Sequence, residues 1–157
     1  MAANAAVQNA DIPCEVVPTK NVLSAFSAMF VADKDASLQE NVEEMTQALD
    51  GVHCGEITTA VKDSKTSGGQ KISPNDVIGI ADGSLDAVGK TVEDVAFKLL
   101  ETMDASEFDT LTLLAGIDYN DEQMDALVEK IEEKYPDLDI DAQRGEQPLY
   151  PLFFSLE

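Results

Sequence analysis

The sequence predicts an α/β domain with α+β character: a mixed sheet that includes a β-hairpin, with helices packed on it. Three observations lead there. Capped segments with apolar residues at helical spacing recur along the chain, short β-branched runs alternate with them, and Asp82-Gly83 separates two such runs with the residues of a tight hairpin turn.

Ala2–Gln8 reads as a helix, followed by Asp11-Ile12-Pro13, a short strand at residues 15–17 and a turn at Pro18-Thr19. Residues 22–31 are apolar nearly all round, which predicts a buried helix. A helix–strand–helix opening has no strand of its own to pair with. The expectation is that the chain belongs to something longer and that Met1 is an internal methionine.

Farther on, Ser37 and Glu40 form a capping box ahead of Leu38, Val42, Met45 and Leu49, and Gly51 ends that helix. Residues 56–61 alternate and place Ile57, Thr59 and Val61 on one face of a strand. Residues 64–70 read as a polar loop. Val77–Ala81 and residues 84–88 form the antiparallel hairpin. Thr91 and Asp94 cap the next helix, which directs Val92, Val95, Ala96, Leu99, Leu100 and Met103 at the core. After the strand Thr110–Ala115, Asn120 caps a third helix with Met124, Leu127, Val128, Ile131 and Tyr135 inward, and Pro136 forbids its continuation. Strands at residues 138–142 and Leu152–Leu156 complete the set. Leu111 and Leu113 are expected to share one core with Val95, Leu99, Val128 and Ile131, because their strand lies between the two helices.

A chain of 157 residues with 44% apolar content suits one ordinary domain, or one domain and a fragment of another. No apolar run approaches the roughly 20 residues of a membrane span, and the first residues lack the basic start and apolar core of a secretory signal. A cytoplasmic protein is expected, with Cys14 and Cys54 as reduced thiols. Charge is the loudest signal. Thirty-one acids against ten bases give −21, which disfavours nucleic acid and anionic lipid and favours a basic partner surface.

Catalytic machinery is sparse. Ser67-Gly68-Gly69-Gln70 lacks the Lys-Ser/Thr and the strand-to-helix setting of a phosphate loop and reads as a flexible loop. His53, the one histidine, adjoins Cys54 just before a strand; neighbours pointing to opposite faces make a poor metal pair, so a structural role is expected. No Gly-x-Ser-x-Gly elbow occurs. Asp118, Asn120 and Glu122 lack the glycine and terminal glutamate of a calcium loop and read as capping groups. No cofactor or metal is expected.

The third helix carries a different pattern. Asp118, Glu122, Asp125, Glu129 and Glu132 follow one another at helical spacing, away from Met124, Leu127, Val128 and Ile131. Residues 104–141 hold thirteen acids and only Lys130 and Lys134, net −11 of the chain's −21. The stripe is either a solvated face or a docking surface for a basic partner. Near the end, two prolines bracket Leu149-Tyr150 and hold the segment extended, an arrangement that reads as a connection keeping the last strand from pairing outward.

Taken in order, Glu15-Val-Val-Pro-Thr-Lys-Asn, Ala36-Ser-Leu-Gln-Glu-Asn-Val-Glu, Lys130-Ile-Glu-Glu-Lys-Tyr-Pro-Asp and Gly145-Glu-Gln-Pro-Leu-Tyr-Pro resemble the C-terminal part of the fatty acid kinase A protein, a dihydroxyacetone-kinase-like family. The resemblance implies an ATP- and magnesium-binding N-terminal domain and a central domain elsewhere in the polypeptide, neither visible here. It implies a DegV-like C-terminal subdomain over residues 34–157, with residues 1–33 as the last helix, strand and helix of a preceding α/β subdomain. DegV-type proteins present the acyl chain for phosphorylation, and this part of the family is thought to dock them. The expected role is therefore a non-catalytic docking domain, with the acid stripe meeting a basic surface on the DegV-like protein. The alternative is a DegV-like lipid-binding module, although Gln147-Pro-Leu-Tyr-Pro stands where such binders carry a His-Thr-Gly-like segment. A third reading, a fragment contributing to phosphoryl transfer, is opposed by the missing phosphate loop.

Overall fold

The computed structural model describes residues 2–157, which fall into two compact units, the first ending at Val52 and the second spanning His53–Glu157. Residues 34–52, grouped above with the C-terminal part, lie in the first.

In the first unit, α1 (Ala2–Gln8), α2 (Val22–Phe30) and α3 (Leu38–Gln47) are connected by chain outside helix or strand. Two starts are fixed by reciprocal caps. Asn21 accepts from the Ser24 N–H while Ser24 Oγ receives the Asn21 N–H, and Ser37 and Glu40 do the same for α3. Asn41 then ties the α2–α3 connection down: its amide oxygen accepts from the Asp33 N–H at 2.7 Å, and its nitrogen donates to the Asp33 carbonyl at 2.7 Å. The expected burial of residues 22–31 is overturned. Only Leu23, Ser24 and Ala28 of α2 are buried, while Val22, Phe26, Met29 and Phe30 are exposed. An all-round apolar helix is buried only if elements exist to surround it. Residues 15–17 form no strand.

The second unit is built on a six-stranded sheet of β1 (His53–Thr59), β4 (Val77–Ala81), β5 (Ser84–Gly89), β6 (Thr110–Ala115), β7 (Asp139–Arg144) and β8 (Leu152–Leu156), in the order β5-β4-β1-β8-β6-β7. The β6–β7 pair is parallel and the other pairs are antiparallel. A parallel pair needs a crossover, and α5 (Asp121–Lys134) is that crossover. The hairpin turn has Asp82 at φ 47° and Gly83 at φ 85°, the two positive angles a two-residue turn of this kind requires. One correction concerns residues 64–70, where β2 (Ser64–Lys65) pairs with β3 (Lys71–Ile72) in a small ribbon. Another concerns residues 56–61: Ile57 is buried, but Thr59 and Val61 are exposed, because the strand ends at Thr59.

One face of the sheet carries the core. Ile57, Leu111, Leu113, Leu152, Phe154 and Leu156 meet Val95 and Leu99 of α4 (Val92–Thr102) and Leu127 and Ile131 of α5, with Val128 partly buried against them. Two glycines permit the close approach. A β-carbon on Gly55 would lie 2.1 Å from the Phe154 ring, and one on Gly79 would lie 2.7 Å from Val95 and 2.8 Å from Leu99. On the opposite face the ribbon's Ile72 packs with Val88 at the β5 edge.

The last strand is not at an edge. It lies between β1 and β6, so the proline-bracketed segment does not guard an edge as expected. Instead it carries the chain from β7 back across the end of β6. Gly116 donates to the Pro151 carbonyl at 2.9 Å and Ile117 to the Gln147 carbonyl at 3.1 Å, while Gln147 Nε2 donates to the Leu114 carbonyl at 2.9 Å.

Candidate functional site

The acid stripe starts in the loop after β6 and runs along α5. Asn120 caps the helix through the Gln123 N–H at 2.9 Å, with the Gln123 side chain returning to the Asn120 N–H at 3.0 Å. Asp118, Glu122, Asp125, Glu129 and Glu132 are all exposed, and none of them takes part in an ion pair within the described residues. The helix's two cations lie on its other flank. Lys130 Nζ sits 2.7 Å from Glu93 Oε2 and Lys134 pairs with Glu101, both acids on α4. Those pairs leave the outer flank of α5 uncompensated.

His53 and Cys54, weighed above as a metal pair, are engaged structurally. His53 Nδ1 lies 2.7 Å from Asp82 Oδ2, and the second oxygen of Asp82 accepts the Cys54 N–H at 2.8 Å, which ties the hairpin turn to β1. The His53 ring meets Phe108 edge-on at 5.2 Å. Asp76 bonds Lys90 Nζ at 2.5 Å and the Ser73 N–H at 2.8 Å, and the Lys90 bond is the chief reason its carboxyl is held below the usual range. Among the described residues, no group of three or more His, Cys, Asp or Glu side chains is placed to hold a metal ion.

Two features escaped the sequence reading. Lys62, Lys65 and Lys71 are exposed in and beside the ribbon near the β5 edge, so three cations of residues 53–157 that take no part in an ion pair stand at the opposite edge of the sheet from α5. The Lys65–Lys71 pairing was not readable without the ribbon. Glu56, the other feature, is half-buried on the face away from α4 and α5, in register with Ile80 on one side and Phe153 on the other. Burial pushes its carboxyl pKa up. A carboxyl raised on folding is a liability above its folded pKa, because the unfolded chain ionises more easily, and the liability vanishes below the unfolded value of about 4.3. Glu56→Gln is therefore expected to raise Tm at pH 7. The gain should close as the pH falls below about 4, and an unchanged gain at about pH 3 would assign it to packing instead.

The family model for the C-terminal region of proteins like the fatty acid kinase A component matches residues 1–157. The chain belongs to that family. Within this fatty acid kinase A-like C-terminal family it is 32% identical over its full length to an uncharacterized protein of Staphylococcus aureus (strain USA300), of which it covers 28%. It is 34% identical over 142 residues, or 90% of its length, to an uncharacterized protein of Staphylococcus haemolyticus (strain JCSC1435), of which it covers 26%. The chain thus spans little more than a quarter of these relatives. Its fold is that of DegV-family structures. The DegV family protein of Corynebacterium glutamicum aligns with a TM-score of 0.63 at 16% identity, over 99% of this chain and 68% of that one. The Streptococcus pneumoniae fatty acid kinase B3 protein, loaded with linoleic acid, aligns with a TM-score of 0.55 at 15% identity, over 86% and 54%. Among the described residues, no helix is long and apolar enough to cross a membrane.

Proposed function

We propose that this domain of the fatty acid kinase A-like family is non-catalytic and docks a DegV-like fatty acid-binding protein through its acidic face. Acyl-phosphate formation is then the work of other domains of the same polypeptide. The observation that carries the reading is the one-sided charge of α5: its lysines are drawn to Glu93 and Glu101, while Asp118, Glu122, Asp125, Glu129 and Glu132 are left exposed on the other flank. Clustered carboxylates raise the association rate for a basic surface, while each exposed pair adds only about 0–1 kcal/mol to affinity. Several must act together. The lysines near the β5 edge add a sense of direction, since they balance the nearby aspartates there while the outer flank of α5 stays negative.

Raising salt to about 1 M shortens the screening length to about 3 Å, so binding is expected to weaken chiefly through slower association. Charge reversal of Glu122, Asp125 and Glu129 to Lys should have the same effect with the helix intact, because Lys and Glu have similar helix propensity. Stopped-flow association with a purified DegV-family protein measures both. An unchanged rate in the triple variant would make the stripe a solvated face.

A second reading, a lipid-binding module, is motivated by the fold shared with a protein loaded with linoleic acid. Native mass spectrometry separates the two, since a copurifying fatty acid would favour the module.

A further inference from the structure

We propose that the docking face has an apolar anchor, Leu149 with Ile117, which enters an apolar pocket on a partner whose rim is basic. The inference rests on the docking reading above and names the residues that hold the partner after charge has brought it in.

Ile117 follows β6 and Leu149 precedes β8, and the Ile117 N–H bonds the Gln147 carbonyl at 3.1 Å, so the two loops form one cluster. Leu149 is 79% exposed and Ile117 58%; of the large apolar side chains in residues 53–157, only Val61 joins them among the exposed ones. Leu149 also has φ 70°, left-handed backbone that a leucine adopts at a cost and a glycine adopts freely. The fold therefore gains little from a leucine at this position. Strain at an exposed apolar side chain is the mark of a position kept for contact with something else.

The backbone is nonetheless held firmly. Thr58 Oγ1 donates to the Leu149 carbonyl at 2.6 Å, Gln147 Nε2 donates to the Tyr150 carbonyl at 3.2 Å, and the Tyr150 ring rests on Phe153 at 4.8 Å between centroids. A side chain presented on a fixed backbone loses little freedom on binding, which is what an anchor requires. Asp118 adjoins Ile117, Glu146 adjoins Gln147, and Asp121 and Glu122 begin α5; all four are exposed. Arg144 is drawn to Asp121 at 3.5 Å and Glu146 at 3.0 Å, which leaves the rim acidic and fits a basic partner. The rim is continuous with the stripe through Asp118 and Glu122.

The test is Leu149→Gly, measured against a purified DegV-family fatty acid-binding protein from the same cell. Tm is expected to hold or rise, while Kd weakens about tenfold or more through faster dissociation. The association rate and its salt dependence should stay as in the unaltered chain, because the carboxylates are intact. A fall in Tm would make Leu149 a structural residue and overturn the inference. So would an unchanged dissociation rate; if the triple charge reversal still slowed association in that case, the docking reading would stand without this anchor. No binding by the unaltered chain would remove both.

Discussion

Replacing Phe154 by alanine is expected to cost about 3–5 kcal/mol, read as a lower denaturant midpoint at an unchanged slope. The ring is 0% exposed and lies in the middle of the sheet, where β8 pairs with β1 and β6. It also covers Gly55, its register partner, so closely that a β-carbon there would stand 2.1 Å from the ring. That closeness gives a second arm to the experiment. Gly55→Ala alone forces the ring to move and should cost about 1–3 kcal/mol. In the Phe154→Ala background the added methyl enters vacated space, so the two costs should fall short of their sum by about 1 kcal/mol or more. Strict additivity would show that the ring does not lie over Gly55.

Truncation of Leu99 to alanine is expected to cost about 2–5 kcal/mol. Leu99 is 0% exposed and rests on β4 where Gly79 leaves room for it. The range is wide because the cost depends on whether Val95 and the strand backbone can close over the gap. Leu38→Ala serves as the control: it removes the same atoms from the start of another helix, but its side chain is 42% exposed, so the change should stay within about 0.5 kcal/mol. A loss at Leu99 no larger than at Leu38 would break the packing of α4 on the sheet.

By itself the sequence determined what depends on near neighbours along the chain. The caps at Ser37, Thr91 and Asn120, the positive-φ turn at Asp82-Gly83 and the inward residues of α4 and α5 are all set within a turn or two of backbone. The position of the acid stripe on α5 is fixed in the same way, by helical spacing alone. Strand order was beyond its reach, because the pairing of β8 between β1 and β6 joins residues separated by most of the unit. The same limit hid the exposed face of α2, since burial is a property of the neighbours a helix finds and not of its own composition. Tertiary structure alone also decided the direction of charge. Lys130 and Lys134 could have neutralised the carboxylates on their own helix, and it is the packing of α4 beside α5 that brings Glu93 and Glu101 within reach of them. Leu149 belongs with these: a leucine between two prolines gives no sign of a left-handed backbone or of an outward side chain until the segment is held across the end of β6 by the Gly116, Ile117 and Gln147 hydrogen bonds.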